Sequence, residues 1–178
     1  MRRILVDSKE VDISECSFAM PWRSDSVCYG FKFPTELIKT EDVDKLTDKQ
    51  NIESLVIGCP LSSYDFISDM ENLTNLYIYN GENLTDISFI RNLLKLDHLY
   101  IAKSHISDLE PLDFLLKEKQ KHIEAEEDII EKILFTMSGI SLGTDCSINE
   151  PERLFDSGNI ISELLINGEK IRKRKKKK

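Results

Sequence analysis

The chain is poor in the residues that mark several common protein classes. It has four cysteines in 178 residues, Cys16, Cys28, Cys59 and Cys146. No two have CxxC spacing, and no histidine follows at a zinc-ligand interval, which excludes the usual zinc and redox motifs. The pattern predicts four reduced thiols. A Cys16–Cys28 disulfide is the alternative, and it suits a secreted chain better. The three histidines, His98, His105 and His122, are not spaced as metal ligands. No metal and no cofactor is therefore expected. The apolar runs are short, such as Ile4 to Val6 and Leu55 to Ile57. None approaches the ~18 residues of a membrane span. After two arginines only Ile4, Leu5 and Val6 precede Asp7, well short of the ~7–15 apolar residues of a secretory leader. A cytoplasmic compartment is the expectation. The chain has no phosphate-cradling glycine loop and no GxSxG elbow. Asp145-Cys146-Ser147 offers a nucleophile but no histidine assigned to it, so no enzyme is expected.

Charge is plentiful but unevenly placed. The formal net charge is −8, yet the last seven residues, Arg172, Lys173, Arg174, Lys175, Lys176, Lys177 and Lys178, are all basic. Without them the body stands at −15. Such a tail can hold nucleic-acid phosphates by counterion release or anionic lipid headgroups, or serve as a nuclear address. No aromatic residue interleaves it, which argues against base stacking, and the acidic body repels phosphate. The plainer reading is a solubilising tail that folds back on its own acidic body.

What is present is a repeat. Residues 73 to 93 read LTNLYIYNGENLTDISFIRNL, and residues 96 to 115 read LDHLYIAKSHISDLEPLDFL. Leu73, Leu76 and Ile78 match Leu96, Leu99 and Ile101 at a shift of 23. Leu84-Thr85-Asp86-Ile87 matches Ile106-Ser107-Asp108-Leu109 at 22. An earlier copy places Ile52, Leu55 and Ile57 before Leu73, Leu76 and Ile78 at 21. In its second half, Leu61, Phe66, Ile67 and Met70 match Leu84, Phe89, Ile90 and Leu93 at 23.

This pattern, LxxLxI followed by [LI]-[ST]-D-[IL], resembles the leucine-rich repeat family, and in particular its internalin-type repeats of about 22 residues. The resemblance covers residues 51 to 115. The asparagine that usually follows the strand is absent, and Ser104 takes its place in the third copy. The resemblance implies an α/β fold: a short solenoid with a parallel concave β-sheet, each repeat contributing one strand. One coil cannot bury its own apolar face, so coils must stack.

Alternate residues of a strand face opposite ways. Leu76 and Ile78 are thus expected inward, with Asn75, Tyr77 and Tyr79 outward. Tyr77 should lie beside Tyr100 and Val56, and Asn75 beside His98 and Ser54. The candidate protein-binding face is Ser54, Val56, Asn75, Tyr77, Tyr79, His98 and Tyr100. Tyrosine is enriched at binding hot spots because it buries a large area while keeping a polar end. Against this stands the general liking of aromatics for strands, or burial of the face under the flanks. Asp86 and Asp108 are expected to accept backbone N–H groups at turns.

The flanks are expected to cap the solenoid. In residues 1 to 50, RRILV and EVDIS pair as a hairpin, Tyr29, Phe31 and Phe33 alternate along a strand, and 40 to 49 form a short helix. Trp22 is expected to pack. Residues 116 to 171 form a helical insertion and C-terminal cap. Its helix is predicted over 116 to 137, with Ile123, Ile130, Ile133, Leu134 and Met137 on one face and the acid run Glu124 to Asp128 solvated. A second short helix is expected from Pro151 to Phe155. Residues 161 to 171, ISELLINGEKI, read as a fourth repeat strand or as a hairpin around Asn167-Gly168. Residues 172 to 178 are the basic tail.

The expected function is non-enzymatic protein binding through the concave face. The alternatives are tethering to nucleic acid or anionic membrane by the tail, and self-association at a solenoid edge.

Overall fold

The structure, a computed structural model, describes residues 2–6, 9–12, 49–57, 60–157 and 160–173. The expectations for Cys16, Trp22, Cys28, the strand around Tyr29 to Phe33, Cys59 and the helix over 40 to 48 lie outside these residues, as do Arg174 to Lys178. The side chains of Ser54, Val56 and Ile130 also lie outside them.

One sheet organises the chain. Its strands are β1 (Arg2–Val6), β2 (Lys9–Asp12), β3 (Ser54–Ile57), β4 (Asn75–Ile78), β5 (His98–Ser104), β6 (Gly139–Thr144), β7 (Leu164–Ile166) and β8 (Glu169–Lys170), in the order β2-β1-β3-β4-β5-β6-β7-β8. From β1 through β3 to β7 every neighbouring pair is parallel. Each end turns back once as an antiparallel hairpin, β1–β2 and β7–β8. The register equates Leu55, Leu76, Leu99 and Ile140, the first three at the spacings of the repeat.

The repeat spacing produces this because each coil supplies one buried strand pair and one buried return. Leu55 and Ile57, Leu76 and Ile78, Leu99 and Ile101, and Ile140 and Leu142 fill the inner face of the sheet. Behind them lie Ile67 and Met70, then Ile90 and Leu93, on 3-10 turns at Asp65–Asp69 and Ser88–Ile90. Each return starts in one way. Ser63 Oγ accepts the Asp65 N–H at 3.2 Å, Asp86 Oδ1 accepts Ser88 N–H at 2.9 Å, and Asp108 Oδ1 accepts Glu110 N–H at 2.8 Å. A short polar side chain thereby satisfies a donor the turn would leave free. Each coil also docks on the last in one way. The carbonyls of Glu53, Thr74 and Asp97 each accept two N–H groups from the next coil, at 2.8 to 3.3 Å.

The missing asparagines are replaced. Ser104 Oγ donates to Gly143 O at 2.8 Å, Thr144 Oγ1 donates to Ile106 O at 2.7 Å, and Asn167 Oδ1 accepts Thr144 N–H at 2.9 Å. In the coils of β5, β6 and β7 one polar side chain ties the strand ends together.

The insertion differs from its expectation. The helix over 116 to 137 is instead α1 (Glu110–Ala125) and the short α2 (Ile129–Ile133). Pro111 sits in the first turn of α1, where its missing N–H costs nothing. The acid run stops the helix. Carboxylates at a helix C-terminus oppose its dipole, and the Glu126 carboxylate takes the N–H groups of Glu127 and Asp128 at 2.9 and 3.1 Å. The buried face is Leu112, Leu115, Leu116 and Lys119, not the predicted set. Ile133 and Leu134 are exposed, while Met137 belongs to the next coil and bonds Ile160. That coil carries β6, where Met137, Ile140 and Leu142 keep the apolar spacing of LxxLxI with other residues. Pro151–Ser157 is a 3-10 helix. Residues 161 to 171 supply both alternatives: β7 extends the parallel sheet, and Asn167 and Gly168, with φ of 52° and 80°, turn it into β8.

Candidate functional site

The candidate site lies on the outward face of β3, β4 and β5. The register pairs Ser54 with Asn75 and His98, and Val56 with Tyr77 and Tyr100. The positions expected to be neighbours are therefore in register. Tyr79, just past β4, reaches across to Tyr100, with ring centroids 5.2 Å apart and planes tilted by 50°. Tilted pairs of this kind let a ring edge meet a ring face.

Exposure divides the set. Tyr77 is only 4% exposed and His98 9%, whereas Asn75, Tyr79 and Tyr100 are half-buried. Of these two, His98 has a carboxylate beside it. His98 Nδ1 lies 2.9 Å from Asp97 Oδ2, and Asp97 Oδ1 accepts the Ser138 N–H at 2.7 Å. Burial works to raise the Asp97 pKa, but the bonds from His98 and Ser138 outweigh it and hold the carboxyl below its ordinary range. Asn75 Nδ2 donates to Thr74 Oγ1 at 2.8 Å. The sequence pattern gives the positions of these residues but not their depth.

The structure adds a cluster that chain order conceals. His105 Nδ1 lies 2.7 Å from Asp145 Oδ1, linking the turns after β5 and β6. Cys146 Sγ sits 3.3 Å from the His105 carbonyl and 3.5 Å from Asp145 Oδ1. The histidine absent from the Asp145-Cys146-Ser147 reading is thus at hand. The chemistry opposes a nucleophile all the same: burial, then Asp145, push the thiol pKa up, so the reactive thiolate is disfavoured. The His105 bond holds Asp145 below its usual range, as expected of a surface pair. Among the described residues no group of three or more His, Cys, Asp or Glu is disposed to hold a metal ion. None of the helices there is long and apolar enough to cross a membrane.

Of the basic tail, Arg172 and Lys173 are exposed beyond β8, and the rest lies outside the described residues. Lys119 escapes sequence reasoning altogether. It is fully buried, with Nζ donating to Leu94 O at 2.6 Å, and burial lowers its pKa to about 7.

Stacked parallel strands in repeat register and returns started by one device decide the architecture. The fold is a leucine-rich-repeat solenoid. No protein-family profile matches the chain, and no curated protein matches it. Among solved structures, the solenoid is similar to internalin C2 of Listeria monocytogenes, at 18% identity and a TM-score of 0.43. That match covers 66% of this chain and 52% of the internalin chain. It is also similar to the Listeria monocytogenes internalin inlF, at 23% identity and a TM-score of 0.37, over 66% of this chain and 42% of the other. The chain thus spans about half the length of the internalins it matches.

Proposed function

We propose that the solenoid is a non-enzymatic protein-interaction module whose concave sheet binds another protein. The observation that carries this is the half-exposed Tyr79–Tyr100 pair, set on a parallel sheet whose register leaves it little freedom. Two large amphipathic rings already in contact lose little conformational entropy on binding. Asn75, in register with His98, adds an amide to the same sheet. Tyr77 and His98 act as supports: buried beside Tyr100 and against Asp97, they fix the surface rather than touch a partner. Ser54 and Val56 complete the face in register. An acidic body of −15 speeds encounter with a basic partner at low salt. The cytoplasm is the proposed compartment, in keeping with cysteines that form no recognisable framework.

The test is affinity capture from source lysate with wild type beside Tyr79→Ala/Tyr100→Ala, after both show the same thermal melt. A protein retained by wild type and lost by the variant supports the concave site. Equal capture by both overturns it.

A second reading rests on seven consecutive basic residues after an acidic body. In it, the tail tethers the protein to nucleic acid or anionic membrane. Truncation after Ile171 would abolish binding to DNA or to phosphatidylserine vesicles while leaving concave capture unchanged.

A further inference from the structure

Resting on the concave-site reading, we infer that the partner segment seated there is uncharged, with an apolar or aromatic side chain lying over Ser141 against Tyr100. The first observation is what the face lacks. β4 with Tyr79 beyond it, β5 and β6 present nine outward positions, the alternate residues from 75 to 79, 98 to 102 and 139 to 143. None of them is Asp, Glu, Lys or Arg. At the chain's 31% charged residues, nine positions would carry about three. The central register row stays uncharged beyond them, at Val56 on one side and Leu165 on the other. The returns of the same coils do carry charge, at Asp69, Glu71, Arg91 and Lys95. On the face itself charge returns at the margins. Lys103 lies in the bulge after Ile101, and Glu163 and Lys170 pair at 2.9 Å beside β7. The cores of protein interfaces are depleted of Lys, Glu and Asp and enriched in Tyr in this way.

The second observation is relief. Along the central row the register reads Tyr77, Tyr100, Ser141 and Leu165. A large ring on β5 therefore gives way to a single hydroxymethyl group on β6, and the next strand raises an aliphatic side chain. Tyr100, Ser141 and Leu165 are all half-buried. The two walls stand two strand spacings apart, roughly 10 Å, which leaves room for one aromatic or aliphatic side chain between them. The low ground continues along the same strands at Ala102 and Gly143. A Cβ added to Gly143 would meet Ala102 Cα at 3.2 Å, so the close approach of β5 and β6 keeps that position small.

Together the two observations choose the occupant. A charged group seated on this face would lose its water and meet no opposite charge at these nine positions. An apolar or aromatic side chain has no such loss and gains contact with the Tyr100 ring and Leu165. The body's charge of −15 acts at a distance, on the approach, and not on the seated contact. A cation held over a tyrosine ring is the rival, and the experiment separates the two by sign. The chain's own tail is disfavoured because RKRKKKK holds no uncharged residue. A second copy is disfavoured because two concave faces cannot close on each other.

The experiment uses the full chain and a phage-displayed library of random peptides of about 12 residues, long enough when extended to cross the sheet. Selection on wild type is followed by removal of whatever also binds Tyr79→Ala/Tyr100→Ala, whose thermal melt must match. The tyrosine-dependent peptides are expected to hold fewer Lys, Arg, Asp and Glu than the starting library, and at least one aromatic or large aliphatic residue. One such peptide is then titrated against Ser141 variants of unchanged melt. Ser141→Asp and Ser141→Lys should each weaken it at least about tenfold, since a charge of either sign must be stripped of water. Ser141→Asn, the same size as Asp, should lose at least about threefold less than Asp. Peptides rich in Lys and Arg, or a gain with one Ser141 charge and a loss with the other, would overturn the uncharged occupant and leave the concave site standing. Equal losses for Asp and Asn would reduce the effect to size and overturn it too, as would no effect of any Ser141 variant. A library that yields no tyrosine-dependent peptide would overturn the concave site itself, and the inference with it. Light scattering that shows a dimer dissolved by the tyrosine variant would assign the face to a second copy, and also overturn the inference.

Discussion

Residues 52 to 107 and residues 108 to 137 solve the same problem in opposite ways. In the first stretch every coil repeats one solution. A strand pair such as Leu76 and Ile78 goes in, a short polar side chain starts the return, and one carbonyl holds the next coil by two bonds. In the second, the third return grows into a helix, so the step from Leu99 to Ile140 is 41 residues where the earlier steps are 21 and 23. The apolar and polar roles partly exchange there. A lysine lies in the core and an isoleucine and a leucine lie in water. Uniform coils constrain every side chain by its neighbours above and below. The helix of the insertion still packs between the returns at Ser88–Ile90 and Pro151–Ser157, but the chain after it, with Ile133 and Leu134, is held by no such repeat.

The largest test of that contrast removes a core side chain from the uniform stretch. Leu76 is fully buried between Leu55 and Leu99 in adjacent strands. Leu76→Ala is expected to cost about 2–5 kcal/mol, the loss of transfer energy plus a cavity that stacked coils cannot easily close. Urea unfolding measures it. A cost below ~1 kcal/mol would mean that the coils relax, and that the uniform stretch is no stiffer than the insertion.

A comparable but pH-dependent effect concerns Lys119. Its pKa falls from 10.5 to about 7 because burial penalises the ammonium, with Asp97 opposing the shift. Between about pH 7 and 10.5 the unfolded chain holds a proton that the folded chain lacks. Stability therefore rises with pH across that window, by up to about 1.4 kcal/mol per unit from this one group. The cost is fully in place below about pH 7 and gone above 10.5. Lys119→Met is expected to flatten this contribution, read as the difference between wild-type and variant stability against pH. It also leaves Leu94 O without its donor, a cost of about 1–3 kcal/mol at every pH. Parallel profiles for the two proteins would place the ammonium in water.

How much of this was legible follows from the same contrast. Strand positions in the uniform stretch could be read because Leu55, Leu76 and Leu99 must stack, and stacking fixes spacing. Asp86 and Asp108 could be read because a turn leaves a donor that a carboxylate can satisfy. Asn167-Gly168 could be read because both residues tolerate the positive φ the hairpin requires. β6 could not. Gly139, Ser141 and Gly143 occupy its outward positions, so the strand shows little β-branched or aromatic signature. The α1 face was misread because Ile123 to Met137 has helical spacing without a continuous helix, broken where Glu126 binds the backbone. The depth of Tyr77 and His98 on the candidate face was likewise invisible, since alternation tells which way a side chain points but not what lies over it.

The smallest expected effect is the sharpest test of the contrast. Ile133 is 64% exposed, so Ile133→Ala removes methyl groups that are already largely in water. Its helix, α2, has five residues and little intrinsic stability to lose. Stability is expected to change by less than ~0.5 kcal/mol, the range of ordinary surface substitutions. A stability loss above ~1.5 kcal/mol would instead mean that Ile133 packs against the solenoid in solution. The insertion would then obey the rule of the coils, burying its apolar residues for the fold. A side chain whose loss leaves folding alone lies outside the core, and Ile133 is where the two accounts predict different numbers.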